Sequence, residues 1–93
     1  MRLVRISAAH NVLILSDEIH ADIVPKGRRH TSMLAIPEAR ENCVVFMAMS
    51  KTFNLAGLSC SEAFAPDAAI REKFARQQNE DNAFGLTYFA RAA

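Results

Sequence analysis

The sequence predicts an α/β fold, and three observations carry that prediction. Two short apolar runs lack polar alternation, each ends in an ionisable group, and helix-patterned segments alternate with them. Continuous apolar runs of this length suit strands of a sheet covered by helices.

The elements follow in order. Leu3, Val4 and Ile6 share one helical face within residues 3–10, and His10-Asn11 supplies a helix stop. Val12-Leu13-Ile14-Leu15 then predicts a strand buried on both faces. The abrupt polarity change at Ser16-Asp17-Glu18 places Asp17 at the C-terminal edge of that strand. Pro25, Gly27 and Pro37 among polar residues make 25–37 a long loop, of a length that is usually functional or poorly ordered. Pro37 can open a helical turn through Glu41. Cys43 to Ala48 predicts a second buried strand, which stops at Ser50-Lys51. A third, weaker strand is expected from Leu58 to Ala65, with Pro66 ending it. Asp67 is a good N-cap for a helix over Ala68–Gln78 that carries Ile70 and Phe74 on one face, and Asn79 to Asn82 breaks the pattern. Phe84–Ala93 resembles the opening of another helix. Incomplete helical patterns at both ends predict a piece of a larger domain.

Composition narrows the function classes. Ninety-three residues suffice for one small domain. A hydrophobic fraction of 51% and a charged fraction of 23% exclude a disordered tail and a collagen-like repeat. A net charge of +1 provides no field for nucleic acid or anionic lipid, and Lys26, Arg28 and Arg29 read as a solvated loop. No apolar run approaches the ~20 residues of a membrane span, and Arg5 and His10 interrupt the only stretch that superficially suggests a signal peptide. Cys43 and Cys60 lack CxxC spacing and read as reduced thiols. The expectation is a cytoplasmic protein without nucleic-acid or membrane partners.

Two strands thus end in Asp17 and Lys51. Ligands of open α/β sheets lie outside the carboxyl ends of the strands, so both groups would face one crevice if the strands are parallel neighbours. A carboxylate beside a lysine has two readings: a plain ion pair, or a site that keeps the amine reactive. Taken singly, such an Asp is most often a turn or cap residue and such a Lys is most often solvated. Ser50-Lys51-Thr52 echoes the end of a P-loop but lacks the preceding GxxxxG. A phosphoaccepting receiver domain would need an acidic pair on an earlier strand. His10, His20 and His30 with Asp22 match no compact metal motif, so no metal is expected. A hydrolase triad would need a GxSxG elbow, which is absent.

Two segments carry a resemblance. Residues 11–24, with Ser16-Asp17-Glu18-Ile19-His20, look like the strand and turn that carry the pyridine-binding aspartate of fold-type I enzymes dependent on pyridoxal 5'-phosphate (PLP). Residues 47–58, with Ser50-Lys51-Thr52-Phe53-Asn54-Leu55-Ala56-Gly57-Leu58, look like the segment carrying their Schiff-base lysine. In this order they resemble the MalY/PatB group of the class I/II aminotransferases, whose members act as cystathionine β-lyases or related carbon–sulfur lyases. Gly27, His30 and Pro37-Glu38-Ala39-Arg40 also suit that group, and the resemblance runs from about Leu3 to the chain end.

The resemblance implies roles that make chemical sense. Lys51 would hold the cofactor and then act as general base on the substrate Cα proton. Asp17 would pair with the protonated pyridine nitrogen, His20 would lie near the phenolic oxygen, and Ser50 would donate to the phosphate. Thr52 and Asn54 would stabilise turns, and Phe53 would sit in the core. It also implies three adjacent strands, the third antiparallel, within a partial three-layer sandwich, with residues 1–93 as a fragment of a single PLP-binding large domain. Family members are several times longer and form homodimers. Their further segments supply the aromatic on the pyridine ring, the phosphate cradle and the arginine for the carboxylate of an amino-acid substrate.

Some positions depart from the family pattern. Ala48 stands where many aminotransferases carry a phosphate-binding Ser, Pro25-Lys26-Gly27 reorders the usual Phe-Pro-Gly, and Glu62 enters a strand that relatives keep apolar. Such drift suits either an enzyme or a non-catalytic remnant acting as an interaction module. With edges unpaired and apolar faces uncovered, the isolated chain is expected to be marginally stable and to aggregate or associate. A cooperative melt of a soluble monomer would count against that expectation.

Overall fold

Three strands form one sheet in a computed structural model that describes residues 1–83. They are β1 (Ile14–Asp17), β2 (Cys43–Met47) and β3 (Glu62–Phe64), in the spatial order β1-β2-β3. β1 and β2 are parallel, with Ile14 opposite Cys43 and Asp17 opposite Phe46; β3 runs antiparallel to β2, with Val45 opposite Phe64. The α/β class and the antiparallel third strand are therefore observed. Helix α1 (Arg2–Ala9) precedes the sheet, the short α2 (Met49–Thr52) follows β2, and α3 (Ala68–Glu80) closes the described part.

The corner between α1 and β1 explains where β1 begins. Helix α1 ends at His10, and Asn11 then adopts φ 52°, a left-handed turn that asparagine tolerates better than most residues. The Val12 amide returns to the Ser7 carbonyl at 2.9 Å. The Ser7 hydroxyl donates to the Val12 carbonyl, while Asn42 Nδ2 donates to both Ser7 Oγ and that carbonyl at 2.7 Å each. Val12 and Leu13 are therefore taken up in this junction, and the ladder starts at Ile14 instead of Val12. Because Asn42 immediately precedes β2, the same bonds bring the starts of the two parallel strands together.

Side-chain alternation divides the sheet into two unlike faces. Ile14, Cys43 and Val45 project to one face, where they form a buried cluster with Val4 of α1 and Ala39, and Met33, Leu34, Ile36 and Met47 pack around it. The Pro37–Asn42 segment, expected as a helical turn, is a six-residue 3-10 helix that supplies Ala39 to this layer. On the opposite face, Phe46 meets Phe74 of α3 with ring centroids 6.2 Å apart and planes tilted by 55°. Leu15 on this face is 65% exposed, and Val12 and Leu13 ahead of the strand are exposed as well. The expectation that the first strand is buried on both faces is thus corrected. Only Ile14 of β1 is a buried apolar residue, because the layer formed by α1 and the 3-10 segments covers one side alone.

Other boundaries shift for local reasons. β2 ends at Met47, and Ala48 becomes the extended N-cap of α2. β3 has three residues instead of eight; Ala56–Leu58 forms a 3-10 turn, and Ser59 takes φ 49°, which delays the strand. Asp67 caps α3 as expected, its Oδ1 accepting the Ile70 amide at 2.9 Å. The helix runs on through Asn79-Glu80, where Gln77 Nε2 donates to Asp81 Oδ1 at 3.0 Å and Arg76 lies 3.9 Å from Glu80. The helix expected over 84–93 lies outside the described residues.

Unequal burial of Val45 and Leu15 predicts unequal responses to truncation. Val45→Ala, at a fully buried site, should lower stability by about 2 kcal/mol. Leu15→Ala should change it by less than about 0.5 kcal/mol. Urea unfolding followed by far-ultraviolet circular dichroism checks both; equal losses would contradict the difference in burial between the two positions.

Candidate functional site

The carboxyl ends of β1 and β2 hold most of the ionisable groups singled out in the sequence. Asp17 is the last residue of β1, and Lys51 lies on α2, four residues beyond the end of β2. Parallel pairing places both at one edge of the sheet. Asp17 is exposed, and its Oδ1 accepts the Ile19 amide at 3.2 Å, an Asx-turn that bends the chain away from the strand. Lys51 is exposed, and its amide bonds to the Ala48 carbonyl at 3.2 Å. Its side chain makes no ion pair or hydrogen bond among the described residues.

His20 and Ser50 lie on the same two segments. His20 is exposed within the turn after β1, where its carbonyl accepts the Ile23 amide at 3.0 Å. Ser50 is half-buried beside Lys51, and its carbonyl accepts the Leu55 amide at 2.8 Å. A direct link joins the segments: Thr52 Oγ1 donates to Asp22 Oδ2 at 2.8 Å. Thr52, read from the sequence as a turn residue, also ties the lysine-bearing helix to the aspartate-bearing turn. Asn54 adopts φ 56°, in keeping with a turn role, while Phe53, expected in the core, is 64% exposed. The short α2 presents Phe53 at its C-terminal end, outside the layer that buries β2.

Glu18 is the residue that sequence reasoning left without a role. The Glu18 amide continues the ladder by donating to the Phe46 carbonyl at 2.9 Å. Its side chain is 3% exposed. Oε1 accepts Ser16 Oγ at 3.0 Å and the Met33 amide at 2.8 Å, while Oε2 lies 2.8 Å from His30 Nε2. Burial, the largest single influence, pushes the Glu18 carboxyl up. The bonds from His30, the Met33 amide, Ser32 and Ser16 together outweigh it and hold the group below its ordinary value. Burial also raises the Cys43 thiol, and the Glu18 charge adds to that rise. His30 therefore serves here as the partner of a buried acid. The only signal in the sequence was an acidic residue next to Asp17 and a loop rich in polar groups.

The metal alternative finds no geometric support, since no three His, Cys, Asp or Glu side chains converge among the described residues. Cys43 and Cys60 are free thiols, the first buried. Among the described residues no helix is long and apolar enough to cross a membrane. The chemistry at the sheet edge is that of an available carboxylate at the end of β1 and an available primary amine on the helix that follows β2. An amine of this kind can attack a carbonyl carbon, and the carboxylate can balance a protonated ring nitrogen.

Comparison with known proteins gives this geometry a context. The profile described as "Aminotransferase class I and II" matches residues 1–90. The chain is 35% identical over 91 residues to the cystathionine beta-lyase PatB of Bacillus subtilis, covering 97% of this chain and 24% of that protein. It is 36% identical over 56 residues to the glutamate-pyruvate aminotransferase AlaC of Escherichia coli, covering 60% of this chain and 14% of that one. The crystal structure of cystalysin from Treponema denticola, which contains a pyridoxal 5'-phosphate cofactor, superposes with a TM-score of 0.80 at 32% identity, covering 94% of this chain and 22% of that structure. The chain thus spans about a quarter of the length of the relatives it matches.

A pH prediction follows from Glu18. Its pKa is depressed in the folded state, so its contribution to stability is complete above the ordinary value of 4.5 and is lost as pH falls through the lower folded value. Glu18→Gln should reduce stability at neutral pH and flatten the acid limb below 4.5. Equilibrium unfolding measured across that range checks both; an unchanged acid limb would assign the dependence to other carboxylates.

Proposed function

The chain belongs to the class I and II aminotransferase family, and from that membership we propose that residues 1–93 form part of a PLP-binding large domain whose Lys51 holds the cofactor. The observation that carries the proposal is the arrangement of Asp17 and Lys51 at the carboxyl edge of adjacent parallel strands. The residues present fit that group: an exposed amine for its carbonyl carbon and an exposed carboxylate for its ring nitrogen. Bound there, PLP supplies an electron sink for breaking the Cα–H bond of an amino acid.

Each residue has a definite task in this reading. Lys51 would hold the cofactor through its ε-amine and would carry the substrate Cα proton as general base. Asp17 would pair its carboxylate with the protonated pyridine nitrogen. His20, on the turn after Asp17, would serve the phenolic oxygen, and the Ser50 hydroxyl would donate to the phosphate. The Asp22–Thr52 hydrogen bond limits the motion of the lysine segment relative to the aspartate turn.

Carbon–sulfur β-lyase action is the favoured reaction. The likeness to PatB extends over 97% of the chain, whereas the likeness to AlaC covers 60%. β-Elimination would need Lys51 to take the Cα proton while the Cβ–S bond breaks and the sulfur leaves as a thiol; transamination would need the same proton removal but would pass the amino group on to a 2-oxo acid. The aminotransferase likeness makes transamination the second reading. The intact protein is proposed to be a cytoplasmic homodimer acting on a small amino-acid substrate. The non-catalytic alternative, an interaction module, draws support from the exposed Val12, Leu13 and Leu15.

Borohydride reduction in the presence of PLP, followed by peptide mass mapping, tests the cofactor assignment. The expected label is on Lys51; Lys51→Ala should abolish it, and Asp17→Ala should weaken PLP binding by about tenfold or more. Folded protein with no label at Lys51 overturns the reading. In the full-length enzyme, thiol release from a β-thio amino acid supports the lyase, and amino transfer to a 2-oxo acid without thiol release supports the aminotransferase.

A further inference from the structure

Asp17 and Glu18 are adjacent carboxylates of similar chemistry, yet the structure treats them oppositely. Asp17 shares a face with Leu15 and is exposed, whereas Glu18 is buried on the face of Ile14 and Ser16. A slip of one residue in β1 would exchange every side chain between the faces and bring Glu18 to the site in place of Asp17. The apolar pattern around them is a weak guard against that slip, because Leu13, Ile14 and Leu15 are all apolar and either face would receive aliphatic groups.

Glu18 carries what the pattern lacks. Its carboxylate receives hydrogen bonds from three separate places: Ser16 two residues back, the Met33 amide and the His30 ring, the last two across the long loop. Any register that turned Glu18 outward would leave the Met33 amide and His30 without this acceptor and would bring Asp17, shorter by one methylene, toward the same polar socket. We propose that Glu18 is a positioning residue: its buried, multiply bonded carboxylate decides which of the two acids faces the site and holds Asp17 there. The proposal rests on the assignment of Asp17 to the pyridine nitrogen. Glu18 itself does not touch the cofactor in this scheme.

Two readouts on the full chain test it. Carbodiimide labelling of carboxylates, read by peptide mass mapping without cofactor, should modify Asp17 readily and leave Glu18 protected. Substituting Ser16 and His30 together with Ala should remove that protection. In parallel, PLP affinity and the circular dichroism of the bound cofactor should be compared for Glu18→Ala, Glu18→Gln, Asp17→Ala and the double Asp17→Ala/Glu18→Ala variant.

Glu18→Ala should weaken PLP binding about tenfold and diminish the cofactor's dichroism, while borohydride labelling of Lys51 persists. Glu18→Gln, which keeps an acceptor for the Met33 amide, should recover most of the signal. The double variant should be no worse than Asp17→Ala, because Glu18 acts through Asp17. Losses that simply add would overturn the positioning role, as would equal labelling of both acids in the unsubstituted chain. Protection of Glu18 combined with no Lys51 label would sink the PLP assignment and the proposed role of Glu18 toward it, while leaving the socket as an established feature of the fold. If Glu18→Ala does not fold, the comparison of Glu18→Gln with the Ser16/His30 double variant carries the same decision.

Discussion

A buried carboxylate organises this chain. Glu18 stands where β1 gives way to the long loop, and its side chain is almost completely removed from solvent. A carboxylate in that position is tolerable only if it is fully bonded, since an unpaired buried charge is expensive. Ser16, the Met33 amide and His30 meet that requirement. The bonding has a structural consequence well beyond the residue. The loop that a long polar stretch would otherwise leave loose is drawn back over the sheet, where Met33, Leu34 and Ile36 pack against the cluster of Val4, Ile14, Ala39, Cys43 and Val45. The same loop conformation thus completes the core and satisfies the charge.

A second set of polar bonds acts at the opposite end of the same strands. Ser7, Val12 and Asn42 join the end of α1, the approach to β1 and the residue before β2. With one tie at the amino ends and another at the carboxyl ends, the parallel pair has little freedom to slide. Parallel strands have no short hairpin to set their register, so they depend on contacts of this kind across a long connection. The carboxyl edge inherits that order: Asp17 sits at the end of the ladder, and the Asp22–Thr52 bond extends the constraint to the segment bearing Lys51. The opposite face of the sheet is less complete, with Phe74 of α3 on Phe46 and Leu15 left open.

Much of this organisation was legible from residue patterns. Cys43 to Met47 is an unbroken apolar run and forms a strand whose first three residues are buried. Asp67 reads as a cap and caps α3 through the Ile70 amide. Asp17 and Lys51 were identifiable because each interrupts an apolar run with an ionisable group. What could not be read were features that depend on distant partners. Val12 looks like strand but is taken by Ser7 and Asn42, the latter 30 residues away. Residues 58–61 carry no strong turn signal, yet Ser59 turns left-handed and shortens β3.

The sequence by itself determined the α/β class, the two strands that matter and the pair of groups at their ends, because these follow from hydrophobic continuity and its abrupt loss. It also contained the family relationship, through the ordered segments around Asp17 and Lys51. Only the tertiary structure decided which of two neighbouring carboxylates is buried and which is available. That choice is made by the Met33 amide and His30, groups 15 and 12 residues away along the chain, and no local pattern encodes their arrival. Asp17 owes its availability to the bonds that bury Glu18.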